Sequence, residues 1–342
     1  MNLKELSAIL GLSQTTVSRA LNGFPEVKES TRLRVAEAAA RYKYRPNARA
    51  KSLATGRSYS IGHIIPLSSR KEIVNPIFAD FIAGAGEVYS RRGYDMTLSV
   101  VRDEDEERAY RELASKGSVD GFILHGPKTD DPRIKMLQAL GLPFVVHGRD
   151  QNAPTSYSWV DVNNKRAFKR ATEFLLDIGH TRIGLINGNE ASYFAARRRE
   201  GYSEALQERG IAIDHSVMAA DEMMESNGFE YVSAMLKLQD PPTAYLVSSV
   251  LLAIGARRAL QDAGLTLGRD VSLVTHDDDL SYLPNSGDIP MFTAVRSSVR
   301  EAGQKCADIL LDVVEGDQQA PQHALWEAQL LVGASTGPGR QA

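Results

Sequence analysis

Cysteine is almost absent from this 342-residue chain, in which Cys306 stands alone. No intrachain disulfide can form and no CxxC metal or redox pair exists, a usage suited to a reducing cytoplasm with Cys306 as a buried structural thiol. No apolar run approaches the roughly 18 residues needed to span a bilayer. The N-terminus also lacks the basic, apolar and small-residue order of a signal peptide. A cytoplasmic protein without membrane residence is therefore expected. Catalytic signatures are missing as well: there is no HExxH, no GxSxG elbow and no GxxxxGK[ST] phosphate cradle. Gly84-Ala-Gly86 lacks both the third glycine and the preceding strand of a dinucleotide fingerprint. His125, Ser248 and Asp277 make a conceivable triad, but no nucleophile turn supports it. No enzyme, catalytic residue, metal or cofactor is expected. At 43% apolar composition, however, the chain can bury sizeable cores, enough for a small module and a two-lobed body.

Charge is unevenly placed. The first 57 residues hold 11 Lys and Arg against four acids, a balance of +7, so the overall −3 conceals a body at −10. A basic head on an acidic body points to a polyanion bound at one end. Leu3, Leu6 and Leu10 recur at helical spacing, and Gly11-Leu-Ser13 supplies a break and an N-cap. In the helix that follows, Val17, Ala20 and Leu21 fall on one side. Gln14, Thr15, Ser18, Arg19 and Asn22 form a polar face suited to a major groove. Gln and Arg can pair bidentately with adenine and guanine edges, Thr can touch a thymine methyl, and Ser, Thr and Asn can hold phosphates. A three-helix bundle with a merely solvated polar side remains the alternative. Val27 to Tyr44 reads as a third helix, with Val35, Ala36, Ala39 and Tyr42 inward. Pro46 and Asn47 open a further helical stretch, Ala48 to Ala54, too short to be stable alone in water. Leu53 there has no evident core to join. It fits either a wedge between base steps in the minor groove or an exposed linker side chain.

Beyond residue 57, strand-like runs alternate with amphipathic helices: Ile61 to Pro66, Ile77 to Arg92, Met96 to Val100, Glu104 to Lys116 and Gly121 to Leu124. The pattern continues with Ile183 to Asn187, Ala195 to Arg209, Asn227 to Lys237, Ala244 to Ser248, Leu251 to Ala263 and Ser272 to Thr275. Such alternation means parallel sheets covered by helices, and so many strands favour two lobes sharing a cleft. Ligands of open α/β sheets bind at the carboxyl ends of the strands. His147, Ser249 and Asp277 each follow a strand, and Arg198 lies on the helix after Ile183 to Asn187. Phe78, Trp159 and Met223 could supply apolar walls for a ligand. Each residue also has a structural reading, as loop cap, solvated charge or core aromatic.

Leu3-Lys-Glu-Leu-Ser-Ala-Ile-Leu-Gly-Leu-Ser13, Thr16-Val-Ser-Arg-Ala-Leu-Asn22, Tyr44-Arg-Pro-Asn47 and Ser52-Leu-Ala-Thr-Gly-Arg-Ser58 resemble the head and hinge of the LacI/GalR (lactose-repressor) family. The resemblance continues through Asn75-Pro76, Gly117-Ser-Val-Asp-Gly-Phe-Ile, Gly179-His-Thr-Arg-Ile-Gly-Leu-Ile-Asn-Gly188, Arg198-Arg-Glu-Gly-Tyr202 and Asp270-Val-Ser-Leu-Val-Thr-His-Asp-Asp278, covering roughly residues 2 to 335. It implies an all-α helix-turn-helix head over 1–45 and a hinge helix over 46–57. An α/β, two-lobed, periplasmic-binding-protein-like domain over 58–335, with three chain crossings between lobes, and a tail over 336–342 complete the chain. By resemblance Gln14 and Thr15 read operator bases, and Thr16, Ser18, Arg19 and Asn22 contact backbone or bases. Leu53 would open the operator centre, and Ser13, Asn47 and Ala50 complete the DNA-binding set. Arg198 and Asp277 occupy effector-contact positions, with Ser249 and His147 where a common Asn and a common Asp or similar polar residue stand.

Three departures stand out. Lys28 replaces the usual N-cap of the third helix, Val250 replaces an Asp, and Asn163 stands where Asp is frequent. The last two would leave the pocket less acidic and allow an unusual or anionic sugar. The expected protein is a ligand-responsive, sequence-specific transcriptional regulator. It would act as a homodimer on double-stranded operator DNA, repressing carbohydrate uptake or catabolism genes, and be switched by a sugar or glycoside. A purine or sugar phosphate is the alternative effector, and a sugar-binding protein without DNA function the alternative class.

Overall fold

The computed structural model describes residues 1–21, 24–44, 55–66, 75–152, 154–318 and 320–339. Asn22 and the expected hinge residues Asn47, Ala50 and Leu53 lie outside the described residues. The chain divides into two compact units, Met1–Ser58 and Tyr59–Ala342.

In the first unit three helices, α1 (Leu3–Leu10), α2 (Gln14–Leu21) and α3 (Glu29–Arg41), enclose Leu6, Val17, Ala20, Val35 and Ala39. Asn2 and Glu5 form a reciprocal capping box at the start of α1, satisfying two otherwise orphaned amides. Gly11 ends the helix at φ 62°, a left-handed conformation that a side chain would strain. Ser13 Oγ then accepts from the Thr16 amide at 3.0 Å, starting α2 one tight turn later. Helix α3 begins at Glu29 after Lys28, which makes no side-chain cap. Its inner stripe differs from the expected one. Ala36 and Tyr42 are exposed, because the positions one helical turn from Val35 are Ala38 and Ala39; Tyr42 lies beyond the last helical residue, and Tyr44 packs on the core instead.

The second unit continues with β1 (Ser60–Pro66), α4 (Pro76–Arg92), β2 (Asp95–Val101), α5 (Glu106–Ser115), β3 (Gly121–His125), α6 (Pro132–Leu140), β4 (Phe144–His147), β5 (Ser158–Val162), α7 (Asn164–Asp177), β6 (Ile183–Asn187), α8 (Tyr193–Glu208), β7 (Met218–Ala220), α9 (Glu225–Met235), β8 (Ala244–Val247), α10 (Val250–Asp262), β9 (Ser272–Asp277), β10 (Thr293–Arg296), α11 (Val299–Glu315), β11 (His323–Trp326) and β12 (Gln329–Leu331). Two six-stranded sheets result, ordered β11-β5-β4-β3-β1-β2 and β12-β10-β9-β8-β6-β7. The first is parallel throughout; in the second, β12 alone runs antiparallel. The chain passes between sheets three times, after β5, after β10 and between β11 and β12.

The inner strands of each sheet are buried on both faces, so they read as continuous apolar runs whose residues alternate between two cores, while the edge strands β2, β7, β11 and β12 are partly exposed. Ile123 and Val145 face α4 and α11, while Phe122, Leu124 and Val146 face α5 and α6. In the second lobe Leu185 and Leu246 face α7 and α8, and Ile186, Tyr245 and Val247 face α9 and α10. Cys306, in α11, is buried.

Glycine seams bring the covering helices together. A Cβ at Gly84 would lie 2.1 Å from the Arg300 carbonyl oxygen, and one at Gly201 would lie 2.0 Å from that of Lys165. Gly84 therefore serves helix packing, and Gly201 lets α8 press against α7. Gly201→Ala must push the two backbones apart. The expected loss is about 1–3 kcal/mol of unfolding free energy, measured by urea titration.

Candidate functional site

The carboxyl ends of the strands meet helix N-termini around a cleft of about 1080 Å³, open mouth included. From the first lobe come His125, which ends β3, His147, Gly148 and Arg149 at the end of β4, and Asp161 on β5. Asn75 caps α4 by accepting from the Ile77 amide at 3.0 Å, and Phe78 and Phe81 follow it on the cavity wall. The second lobe supplies Phe194, Arg198, Met223, His276 and Asp278, and the crossings add Asn164, Ser297, Ser298 and Trp326.

A train of buried polar contacts organises these side chains. Arg149 donates through Nε to Asp161 Oδ2 at 2.8 Å, and both residues are about 7–8% exposed. Asp161 Oδ1 accepts from the Val162 amide at 2.8 Å and from Asn164 Nδ2 at 3.4 Å. Asn164 Oδ1 in turn accepts from Arg198 Nε at 2.7 Å, while Arg198 Nη1 donates to the Ser248 carbonyl at 2.7 Å. Phe168 and Phe194 each place a ring centroid 5.0 Å from the Arg198 guanidinium carbon. Burial lowers the Arg198 pKa to about 10, against the pull of Asp278 and Asp161, so the group stays charged at neutral pH. Burial likewise raises the Asp161 carboxyl above its ordinary range, opposed chiefly by Arg149. Across the cleft His276 Nε2 lies 3.3 Å from Asp278 Oδ1 and 3.4 Å from Ser297 Oγ.

Phe78, His147, Arg198 and Met223 line the cleft together. Asp277, Ser249 and Trp159 do not. The Asp277 carboxylate is fully buried and occupied: Oδ2 accepts from Arg296 Nε at 2.8 Å and Oδ1 from the Asp279 amide at 2.9 Å. Its neighbour Asp278 faces the cavity instead. Ser249 Oγ caps α10 by accepting from the Leu252 amide at 3.2 Å, and it is the Ser248 carbonyl that holds Arg198. Trp159 belongs to the first-lobe core, its Nε1 donating to the Pro154 carbonyl at 2.9 Å and its ring stacked 5.1 Å from that of His323; Trp326 takes the place at the wall. Val250 is buried in the second-lobe core, and Asn163 caps α7 and donates to Glu327 Oε1 at 2.8 Å. Neither depletes the cavity of acid, because Asp161 and Asp278 provide two carboxylates opposite Arg149 and Arg198. His125, Asp161, Asn164 and Trp326 were not singled out as contacts by sequence. The rule that selected His147, position at a strand's carboxyl end, applies equally to His125.

In the head, Ser13, Gln14, Thr15 and Arg19 are exposed and Thr16 and Ser18 half-buried along α2, opposite Val17 and Ala20. The arrangement is an uncharged and cationic donor-acceptor face on a short, well-capped helix.

Residues 2–47 match the family described as bacterial regulatory proteins, lacI family, and residues 172–336 match the periplasmic binding protein-like domain. The HTH-type transcriptional regulator AglR of Rhizobium meliloti (strain 1021) is 45% identical over 340 residues, covering 99% of this chain and 95% of its own. Among solved structures, the lac repressor dimer bound to operator and the anti-inducer ONPF superposes with a TM-score of 0.82 at 26% identity, covering 98% of this chain and 99% of that one. The transcriptional regulator CelR in complex with cellobiose gives a TM-score of 0.72 at 27% identity, with the same coverage of both chains. The helix-turn-helix head and two-lobed body thus define a DNA-binding regulator that responds to a ligand. This chain belongs to the LacI family of transcriptional regulators. No helix among the described residues is long and apolar enough to cross a membrane.

His63, on β1 behind the cleft, has no solvent exposure, and burial lowers its pKa to about 3. The unfolded chain, with a value near 6.5, binds that proton more readily. Stability from neutral His63 is therefore complete above pH 6.5 and is lost as pH falls toward 3, with a slope of about 1.4 kcal/mol per pH unit. His63→Gln should unfold with a pH dependence shallower by about one proton between pH 6 and 5, read from urea titrations at several pH values.

Proposed function

We propose that this regulator controls carbohydrate uptake or catabolism genes, as a repressor whose operator affinity is switched by a neutral sugar or glycoside in the interlobe cleft. The observation that carries this reading is the balance of the cavity. Two guanidinium groups face two carboxylates, among hydroxyl and amide groups, beside the broad apolar surfaces of Phe78, Phe194 and Trp326. Paired acceptors and donors suit vicinal hydroxyls, and aromatic faces suit the C–H surface of a pyranose. Net neutrality disfavours a phosphate or carboxylate. The cellobiose-bound relative supports the same assignment. No catalytic chemistry is assigned to the cleft, and the site of action is the cytoplasm, where the DNA is.

In this mechanism a homodimer sets two heads on a pseudo-palindromic operator. Ligand contacts on both lobes change the interlobe angle and with it the separation of the heads. Reciprocity requires operator DNA to alter ligand affinity by the same factor.

A thermal-shift screen with maltose, cellobiose, trehalose, sucrose, lactose, melibiose and raffinose tests the ligand class. A ligand at 100 times its dissociation constant stabilises by about 2.7 kcal/mol. Sugar phosphates and purines serve as the contrasting arm, and a shift with those alone would replace the neutral-sugar reading by the alternative. Arg198→Met should weaken the responding sugar by about 1.5–3 kcal/mol, the worth of a hydrogen bond from a charged donor, measured by calorimetric titration.

The head provides an independent check. Gln14→Ala should relax preference at one operator base pair by about 1–3 kcal/mol while the slope of binding against log salt stays unchanged, because no phosphate contact is lost. Binding-site selection at two salt concentrations measures both quantities.

A further inference from the structure

Behind the first-lobe wall lies a chain of three side chains that the ligand-binding reading does not use. Tyr89, on α4, and His63, on β1, are fully buried, and His125 stands at the cavity. Tyr89 Oη is 3.1 Å from His63 Nε2, and His63 Nδ1 is 3.0 Å from His125 Nε2. The His125 ring is boxed in place, stacked on His63 at 5.2 Å and met edge-on by Phe78 at 5.2 Å and Phe81 at 4.8 Å.

We infer that Tyr89 and His63 act as a proton-orienting relay that fixes His125 as a hydrogen-bond donor, so that the ligand must present an acceptor oxygen, a hydroxyl or glycosidic oxygen, to its Nδ1–H. This deepens the sugar-binding reading and rests on it for the identity of the ligand, though not for the relay itself.

The direction follows from counting protons. Two neutral imidazoles and one phenol carry three protons, and only two hydrogen bonds join them. In one arrangement Tyr89 donates to His63 Nε2, His63 Nδ1–H donates to His125 Nε2, and the third proton sits on His125 Nδ1, toward the cavity. In the reverse arrangement His125 Nε2–H donates to His63, His63 Nε2–H donates to Tyr89, and the phenolic proton is left inside the core. Among the described residues Tyr89 Oη has no hydrogen-bond partner other than His63, and its neighbour Cys306 is a buried neutral thiol, a weak acceptor. A buried donor without an acceptor is disfavoured, so the first arrangement holds. Burial keeps all three groups in their neutral forms: the histidines are pushed down and the phenol up. Among the described residues His125 Nδ1 has no hydrogen-bond partner, and it is not among the buried atoms left unpaired; it is the ring atom left for the cleft. Among the described residues His147, stacked 4.4 Å from Phe81, has no such clamp, and either tautomer is open to it.

Multiple-bond 15N–1H correlation spectra of the full chain with 15N-labelled histidine, assigned with His125→Gln, read the tautomer directly. The expected spectrum of the ligand-free wild type at pH 7.5 shows His125 protonated on Nδ1 and bare on Nε2. In Tyr89→Phe, which removes the donor and keeps the ring, the His125 nitrogens should move toward the values of a tautomer mixture. A wild-type His125 protonated on Nε2, or a His125 signal unmoved by Tyr89→Phe, overturns the relay. With a sugar that shifts the melting temperature in the screen above, the Nδ1–H signal should move on saturation; binding that leaves it in place overturns the contact. If none of the seven sugars binds, the sugar reading fails while the ligand-free spectra still decide the relay.

Discussion

A guanidinium charged at neutral pH yet buried between two phenylalanine rings is the constraint on which the body's architecture depends. Arg198 cannot leave its charge unsolvated, and Asn164 Oδ1 and the Ser248 carbonyl are committed to it. Asn164 must open α7 where it does, Ser248 must turn its carbonyl inward, and Asp161 must stand one residue before the end of β5 with both oxygens occupied. These groups belong to the carboxyl ends of β5 and β8 and to the first crossing. The guanidinium thereby fixes where one lobe's chain leaves and where the other's cavity begins.

Gly201 makes that placement sterically possible. It sits one turn along α8 from Arg198 and brings that helix against Lys165, one residue after Asn164. A larger residue would widen the gap that Arg198 Nε spans to Asn164. Packing and polar satisfaction are thus aspects of one contact, and the apolar pattern of α7 and α8 serves both.

Much of the fold was readable in the residues, because parallel strands buried on both faces and their covering helices leave periodic marks that tolerate an error of one or two positions. The site was readable to the same tolerance, and there the tolerance matters. Phe78, His147, Arg198 and Met223 line the cleft as expected, whereas Asp277 and Ser249 are each one residue out of phase. At a strand's end successive side chains point to opposite sides, so Asp278 faces the cavity while Asp277 is consumed by Arg296. Ser248 contributes through its backbone, which side-chain reasoning does not detect. Trp159 and Trp326 are both strand aromatics in the same sheet, and only the burial of one against His323 separates wall from core. In the head, Ala36 failed by phase, and Tyr42 because the helix ends one residue before it.

The chain crosses between lobes three times, and Val162, Asn164, Ser297, Ser298 and Trp326 stand at those crossings and in the cavity wall alike. Asn163 and Glu327 further tie the first crossing to the third. Joint and binding surface are therefore made of the same residues. A change that refits the pocket to a new molecule also resets the resting posture of the lobes. Ligand preference and basal DNA affinity cannot drift independently in this chain, and variants selected for a new ligand should carry altered operator affinity before any ligand is added.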